Sequence, residues 1–315
     1  MRCLQLIYSD FVISVFKFYL RRVLGVTGEK EEYMGNFDKS STMQSYWNED
    51  GGRKWADNID IVESMIAPIS DRLFEKISAS EGDKVLDIGC GGGITSIKLA
   101  NLVAATGTVI GIDVSEIILN IARNRGAGID NLQFIHRDAA SARLGDNKFD
   151  IITSRFGVMF FDNPVPAFKN LHAALKPTGR MVFLCWRKIQ ENPSMAEPAR
   201  IALEVLSPPA ATDTPDPTAP GPFSLSNPAH LTTILQASGF NNIELQEVDA
   251  SLPMGNIDEA IAYSMKMGPA SQIIKSATGQ EKEKVAAAIR KTFRKYTAHN
   301  SVKVPSATWI VSATK

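Results

Sequence analysis

Short apolar runs separated by helical patterns occupy the middle of the chain. Segments with helical spacing lie between these runs, and repeated strand–helix units imply right-handed crossovers with helices on both faces of a sheet. The pattern predicts an α/β fold with a mostly parallel sheet. Five runs are typical of strands buried on both faces: Lys84–Ile88, Thr108–Asp113, Leu132–His136, Phe149–Ser154 and Met181–Trp186.

Helices are predicted on both sides of this strand series, and two further strands at Asn242–Asp249 and Ser306–Thr314. Ser207–Pro222 contains six of the sixteen prolines and is predicted to be an ordered loop or linker. The predicted helices are Ile59–Ile77, Ile94–Ala104, Pro164–Leu175, Asn227–Ser238, Ile257–Met267 and Glu281–Tyr296, the last with Val285, Ile289, Phe293 and Tyr296 on one face.

Residues 1–43 are predicted to be an N-terminal extension, helical or loosely ordered. Asp10 and Lys17 interrupt its apolar spacing, so we expect no stable membrane span, although a peripheral amphipathic helix touching lipid remains an alternative. Met34 and Met43 could each start a complete protein, which leaves open whether the first 33 residues belong to the functional chain.

A glycine-rich turn follows the first predicted strand. Asp87 lies near the end of that strand, and Gly89, Gly91 and Gly93 precede a predicted helix whose free N–H groups favour an anion. The dinucleotide fingerprint G-x-G-x-x-G would need glycine where Ile94 stands, which disfavours a nicotinamide-dependent oxidoreductase. A glycine-rich turn with no ligand is the structural alternative.

Composition narrows the class of protein. The 315 residues are 44% hydrophobic and 22% charged, with a formal net charge of +0, so no global basic field favours nucleic acid. Cys3, Cys90 and Cys185 are widely separated and predict neither a disulfide framework nor a metal site. Their spacing is typical of a protein from a reducing cytoplasm.

The D-x-G-x-G-x-G spacing at Asp87–Gly93 resembles motif I of the class I S-adenosylmethionine-dependent methyltransferases. From about Tyr46 to the end, the chain is similar to the group containing ubiquinone and menaquinone C-methyltransferases, with Ser154–Phe161 and Cys185–Arg187 as further matching strings. The resemblance implies a Rossmann-like, seven-stranded, mostly parallel sheet. It also implies a methyltransferase domain at 44–250 and 304–315, with a helical lid over the acceptor at 251–303.

The resemblance further implies S-adenosylmethionine as cofactor. The three glycines would let the backbone approach its methionine part, Asp113 would accept both ribose hydroxyls, and Asp138 with the Ala139 amide would read the adenine edge. The alternative is that Asp113 merely caps the next helix, although Ser115 is the predicted cap of that helix. The implied contacts are Asp87, Gly89, Cys90, Gly91, Gly93, Asp113, Val114, Asp138, Ala139, Ser154, Arg155 and Phe156, with the Ser154–Arg155 backbone at the methionine ammonium.

The implied reaction is in-line methyl transfer to oxygen, nitrogen or carbon of a small organic acceptor. Alignment and water exclusion matter most there, because a sulfonium is already a good leaving group. No catalytic base stands out, and Tyr46, Tyr263 and His299 are weak candidates. Trp47, Phe160, Trp186 and Arg187 are candidate pocket residues, although tryptophans and phenylalanines at such positions are often plain core.

Two other functions stay open. A protein or RNA acceptor is the nearest alternative, although the Ser154–Gly157 string is unlike that of adenine-amine methylation and no strongly basic domain is visible. A non-catalytic, S-adenosylmethionine-binding regulatory protein is the alternative from another class. The sequence predicts no bound nucleic acid and no particular oligomeric state.

Overall fold

The computed structural model describes residues 39–206 and 218–315. The chain divides into two compact units. Among the described residues, the sheet unit falls within Asp38–Arg187, Pro220–Asp249 and Ala307–Lys315, and the helical unit falls within Lys188–Ala219 and Ala250–Ser306. The predictions made for residues before 39, and for 207–217 of the proline-rich segment, lie outside the described residues.

The sheet follows the order β3-β2-β1-β4-β5-β8-β6, with β7 paired to β8 alone. Strands β1 to β5 run parallel to their neighbours, and β8 runs antiparallel to β5. The predicted α/β class is confirmed. The strands are β1 Lys84–Ile88, β2 Thr108–Asp113, β3 Leu132–His136, β4 Phe149–Arg155, β5 Leu175–Trp186, β6 Asn241–Pro253, β7 Thr297–Ala298 and β8 Ser301–Thr314.

Helices flank these strands along the chain. Three precede β1: α1 Lys39–Asn48, α2 Asp50–Asp57 and α3 Ile59–Ile77. The others are α4 Ile94–Val103, α5 Glu116–Arg125, α6 Pro164–Ala174, α7 Pro193–Leu206, α8 Pro228–Ala237, α9 Ile257–Lys266, α10 Gly268–Ile273 and α11 Gly279–Phe293.

The core of the sheet unit lies on the central strands, as a sheet covered on both faces requires. Every residue of β1 except Lys84 is buried. Its register places Val85 beside Val109 of β2 and Ile151 of β4, so that apolar side chains form continuous rows across the sheet. Phe168 of α6 and Phe183 of β5 are 0% exposed and pack at a centroid distance of 5.8 Å.

The predicted bounds of β1, β2, β3 and α3 are confirmed. The predicted start of β5 at Met181 is wrong, because Leu175 already pairs with Phe149 and Arg180 pairs with Ile151. The intervening residues 176–179, which contain a proline and a glycine, bulge out of the ladder. The last strand likewise starts earlier than predicted, at Ser301, because its amino end pairs with β7.

In the helical unit, α7 packs against both α10 and α11. Val285, Ile289 and Phe293 of α11 are all 0% exposed, which confirms the predicted apolar face, and Tyr296 beyond the helix is half-buried. Helix α7 was not predicted, since Pro193 and Pro198 obscure its pattern. The helical unit therefore includes residues 188–206, which the sequence predicts as part of the methyltransferase domain.

Two isoleucines of α3 test where the core of the sheet unit lies. Ile69 is 0% exposed and Ile61 is 53% exposed. We expect Ile69→Ala to lower the free energy of unfolding by about 2–5 kcal/mol, because it leaves a cavity. The matched control Ile61→Ala should change it by less than about 0.5 kcal/mol in urea denaturation. Similar losses in both variants would contradict this assignment of the core.

Candidate active site at the carboxyl ends of the strands

The glycine loop, residues 89–93, leaves β1 and returns at once to β2. The amides of Gly89 and Cys90 both donate to Ile112 O, at 2.8 and 3.1 Å. Gly89, Gly91 and Gly93 have φ values of 64°, 55° and 83°, which disfavour any residue with a side chain. The predicted need for glycine at all three positions therefore follows from the backbone itself.

The three glycines differ in what surrounds them. A Cβ added at Gly89 would lie 2.9 Å from Gly157 Cα, and one at Gly93 would lie 2.6 Å from the Phe134 ring. Both positions are thus small because the protein's own atoms approach. A Cβ on Gly91 would meet nothing within 4 Å. Of the three, Gly91 alone borders open space where a ligand could reach the backbone.

Asp87 is a buried carboxyl with one unpaired oxygen. Ser96 Oγ donates to its Oδ2 at 2.6 Å, whereas Oδ1 is buried without a hydrogen-bond partner. Burial raises the pKa of Asp87 to about 7, and the Ser96 hydrogen bond and the nearby Arg155 guanidinium oppose that rise. An unsatisfied buried carboxylate oxygen is suited to a cationic ligand group.

The side chain of Arg155 turns into an internal charge network. Its guanidinium donates to Ser70 Oγ at 3.0 Å and lies 3.7 Å from Glu63 Oε1, both on α3. Glu63 also pairs with Arg125 at 3.1 Å, and Arg125 donates to Gly92 O at 3.1 Å. Burial lowers the pKa of Arg155, an effect that Glu63 opposes. The network ties the glycine loop to α3. Because it engages the Arg155 side chain, only the Arg155 main chain at the end of β4 remains for the predicted cofactor contact.

Asp113 ends β2 directly beside the glycine loop. Its two carboxylate oxygens accept from Gly91 N and Ser115 N, each at 2.9 Å. Burial raises the pKa of Asp113, and these amides oppose the rise. Helix α5 is capped by Ser115, whose Oγ accepts from Ile118 N, as predicted. Ser115 rather than Asp113 is therefore the N-cap of α5, and the ribose contact of Asp113 stays a prediction.

Asp138 is held within its own turn after β3. Its oxygens accept from Ala140 N at 2.9 Å and from Ser141 Oγ at 2.7 Å. Ala139 is buried, and its carbonyl accepts from Asn170 of α6 at 2.9 Å. The turn that carries the predicted adenine contacts is thus anchored to a helix on one side and ordered internally on the other.

Two aromatic pairs line the ends of β4 and β5 and the N-terminal helices. Phe156 stacks on Trp186 at 4.4 Å with an interplanar angle of 9°, and Trp47 meets Phe160 edge to face at 5.2 Å. Phe156 adopts a φ of 68°, which is rare for a bulky residue and is characteristic of functional sites. Three of the four predicted pocket residues therefore lie in aromatic contacts.

Arg187, the fourth predicted pocket residue, is engaged elsewhere. Its guanidinium pairs with Glu247 at 3.1 Å and Asp249 at 3.0 Å, both on β6. It also lies 5.2 Å from the centre of the Trp309 ring on β8. These contacts give Arg187 a role in joining β5 to the two strands beyond it.

The three weak base candidates lie in different places. Tyr46 is in the sheet unit, with its ring 5.4 Å from Trp47. Tyr263 and His299 belong to the helical unit. Burial raises the pKa of Tyr263 to about 12, and His299 is exposed in the β7–β8 turn, where it and Asn300 both have positive φ.

Cys90 lies within the glycine loop, and its thiol is not reactive. Cys90 is 4% exposed, and burial raises the pKa of its thiol well above the ordinary range, which keeps it protonated. Ser154 Oγ donates to Ile88 O at 2.7 Å, and thereby fastens the end of β4 to that of β1.

Among the described residues, no group of acids, histidines and cysteines could hold a metal ion, and no helix is long and apolar enough to cross a membrane.

Several site residues escaped the sequence analysis. Glu63 and Ser70 lie on α3 and contact Arg155, and Asn48 of α1 contacts the turn after Asp113 at Val114 O. No local motif marks them, since their partners are distant in sequence. The Ser96 contact could have been predicted from the sequence, because Ser96 lies only nine residues after Asp87, in the first turn of the helix that follows the loop.

Comparison with known proteins gives the family. A family model described as a methyltransferase domain matches residues 79–239, which is half of the chain. The chain belongs to the methyltransferase domain family. The match covers the glycine loop, Asp113 and Asp138.

Individual relatives match a smaller part of this methyltransferase chain than the family model does. Demethylmenaquinone methyltransferase of Staphylococcus epidermidis is 35% identical over 112 residues, which are 36% of this chain and 46% of that protein. The Staphylococcus aureus protein of the same name is also 35% identical, over 113 residues, 36% of this chain and 47% of that protein. The chain thus spans about half the length of the curated relatives it matches.

Two solved structures share the fold. YcgJ of Bacillus subtilis has a TM-score of 0.51 at 19% identity and covers 78% of this chain and 97% of its own. Phosphoethanolamine N-methyltransferase 2 of Haemonchus contortus, solved with S-adenosyl-L-methionine, has a TM-score of 0.53 at 16% identity. It covers 86% of this chain and 59% of its own. These likenesses confirm the predicted fold of the methyltransferase domain.

The raised pKa of Asp87 predicts how stability changes with pH. Between its ordinary value of 3.8 and about 7, the folded protein keeps a proton that the unfolded chain has released. Stability should therefore fall as pH rises through this range, by about 2–3 kcal/mol between pH 5 and pH 8 from this group.

We expect Asp87→Asn to remove that loss, so that urea denaturation finds the variant gaining stability relative to wild type on going from pH 5 to pH 8. Asp130→Asn, at an exposed carboxyl, is the control and should follow the wild-type curve. Parallel curves for all three proteins would show that Asp87 is ionised throughout.

Proposed function

We propose that the chain is an S-adenosylmethionine-dependent methyltransferase that acts on a small organic acceptor. The observation that carries the proposal is the open backbone at Gly91, whose amide donates to the Asp113 carboxylate in the loop that follows Asp87, a buried carboxyl with one unpaired oxygen. A ligand with a cationic amino acid end and a ribose matches this arrangement. Membership of the methyltransferase domain family supports the same reading.

The residues fit the proposed cofactor at three points. Asp87 Oδ1, which is buried without a hydrogen-bond partner, would accept from the methionine ammonium, together with main-chain groups at Ser154 and Arg155. Asp113 retains lone pairs for the two ribose hydroxyls beyond the two amides that orient it. Asp138 and the Ala139 amide would hold the adenine edge. When bound, the cofactor supplies an activated methyl group on a sulfonium.

The protein's part in the chemistry is alignment and exclusion of water. Two aromatic pairs would form the walls of the acceptor pocket. Trp186 stacks on Phe156 in one pair, and Trp47 packs against Phe160 in the other. Fixed aromatic walls exclude water and hold an acceptor in line with the methyl group, which can contribute up to about 7–11 kcal/mol to catalysis. Of the three base candidates, Tyr46 shares a compact unit with these walls.

The acceptor class rests on the curated relatives. The staphylococcal proteins are named as demethylmenaquinone methyltransferases, which supports a small organic acceptor. Because the chain spans about half of their length, the acceptor itself is a matter for experiment.

The proposal is tested first by calorimetry with S-adenosylhomocysteine and with NAD. We expect binding of S-adenosylhomocysteine and none of NAD; binding of NAD alone would overturn the proposal. The second step incubates the protein and methyl-labelled S-adenosylmethionine with metabolite, protein and RNA fractions of a cell extract. Label in the metabolite fraction supports a small acceptor, label in protein or RNA points to the macromolecular alternatives, and no transfer favours a binding protein.

Gly91 offers a test that separates ligand contact from folding. Gly91→Ala introduces a Cβ into open space at a φ of 55°, and should cost about 1–2 kcal/mol of stability. The matched control is Gly128→Ala, where φ is 84° and a Cβ also meets nothing within 4 Å. We expect equal losses of stability, but at least about a tenfold loss of S-adenosylhomocysteine affinity in Gly91→Ala alone. Equal affinities would place the ligand elsewhere.

Asp113 offers a test of the ribose contact. We expect Asp113→Ala to weaken S-adenosylhomocysteine binding by about ten- to a hundredfold in calorimetry, as the loss of about 1.4–2.8 kcal/mol of charged hydrogen bonding implies. Circular dichroism should show a retained fold, since Ser115 rather than Asp113 caps α5. Unaltered binding would show that the ribose does not lie at the end of β2.

A further inference from the structure

The turn that follows Asp113 is held by a side chain from the N-terminal helices. Asn48, the last residue of α1, donates from Nδ2 to Val114 O at 2.7 Å and accepts at Oδ1 from Glu116 N at 3.2 Å. A primary amide carries two N–H donors and one carbonyl acceptor, so it can bind both main-chain groups at once while Nδ2 also donates to Gln44 O at 2.9 Å. We call this pair of hydrogen bonds the Asn48 clamp.

The main chain beside the clamp makes a second connection. Ser115 Oγ donates to Trp47 O at 2.7 Å. A Cβ on Gly52 would lie 1.9 Å from Trp47 O and 2.9 Å from Ser115 Oγ, so the start of α2 also presses against this point. All three residues of the Val114–Glu116 turn are therefore held from the segment 47–52.

The same turn orients Asp113. The amide of Ser115 donates to Asp113 Oδ1 at 2.9 Å, and Gly91 N donates to Oδ2 at the same distance. A shift of the turn removes the first of these hydrogen bonds and allows the carboxylate to rotate. Because burial raises the pKa of Asp113 and these amides oppose the rise, losing one of them also favours the protonated form.

We propose that Asn48 is a positioning residue, which fixes the Val114–Glu116 turn so that Asp113 is held ready for the ribose hydroxyls of the cofactor. Asn48 acts through the turn and need not touch the cofactor. The inference rests on the proposed function. Since coupling between two sites is reciprocal, cofactor binding must stabilise the docking of 44–52 by the same factor by which the clamp tightens cofactor binding.

Calorimetry with two ligands tests the role of Asn48. The ligands are S-adenosylhomocysteine and its 2′,3′-dideoxyribose analogue, which lacks the hydroxyls that Asp113 would accept. We expect Asn48→Ala to weaken binding of the first by about tenfold and of the second by less than about threefold. The isosteric Asn48→Asp keeps the acceptor but faces Val114 O with an oxygen, and should lose at least as much affinity.

Asn58 supplies the matched control. It is also an asparagine at a helix end, and its Nδ2 donates locally to Lys54 O at 2.8 Å. Asn58→Ala should leave both affinities within about twofold of wild type. Equal weakening of both ligands by Asn48→Ala would mean that Asn48 serves the fold alone, which overturns the inference.

Hydrogen exchange on the wild-type protein tests the reciprocal effect without any variant. Saturating S-adenosylhomocysteine should slow exchange of the amides in 44–52 as well as in the glycine loop 89–93. Protection of 89–93 without protection of 44–52 would overturn the inference and leave the proposed function intact. Absence of any binding by the wild-type protein would overturn both.

Discussion

The candidate site depends on the way the glycine loop is fastened to the neighbouring strand. Two loop amides share Ile112 O, and a third donates to the carboxylate that ends β2. The loop can reach these partners only with left-handed backbone at three positions. The glycine spacing and the acid at the end of β2 are therefore linked, because one loop amide orients the Asp113 carboxylate while the other two hold the loop to the main chain of β2.

Charge at this edge of the sheet is concentrated and partly buried. Asp87 and Glu63 both have raised pKa values because burial disfavours their charged forms, and Arg155 opposes both shifts. Burying such groups is unfavourable unless they are paired, and one oxygen of Asp87 has no partner. The protein thus gives up stability at the point where a cationic ligand group would recover it.

Much of the sheet could be predicted from the sequence because its signals are local. The apolar runs of β1 to β3, the glycine spacing and the Ser115 cap all lie within a few residues. The contacts of Asn48 and Glu63 could not be predicted, since their partners lie more than sixty residues away. The predicted start of β5 was wrong for a related reason. A proline and a glycine indicate a turn when the neighbouring strand that accommodates the bulge is unknown.

Among the described residues, the helical unit comes from two separate stretches, within Lys188–Ala219 and Ala250–Ser306, with α8 and part of β6 between them. Its helices α7, α10 and α11 share one core although the first comes from a different stretch than the other two. A transplant of this unit into a related scaffold must therefore carry both stretches together. Exchanging either stretch alone would leave one side of an apolar interface without its matching partner. Substitutions on α7 and α11 are therefore expected to covary.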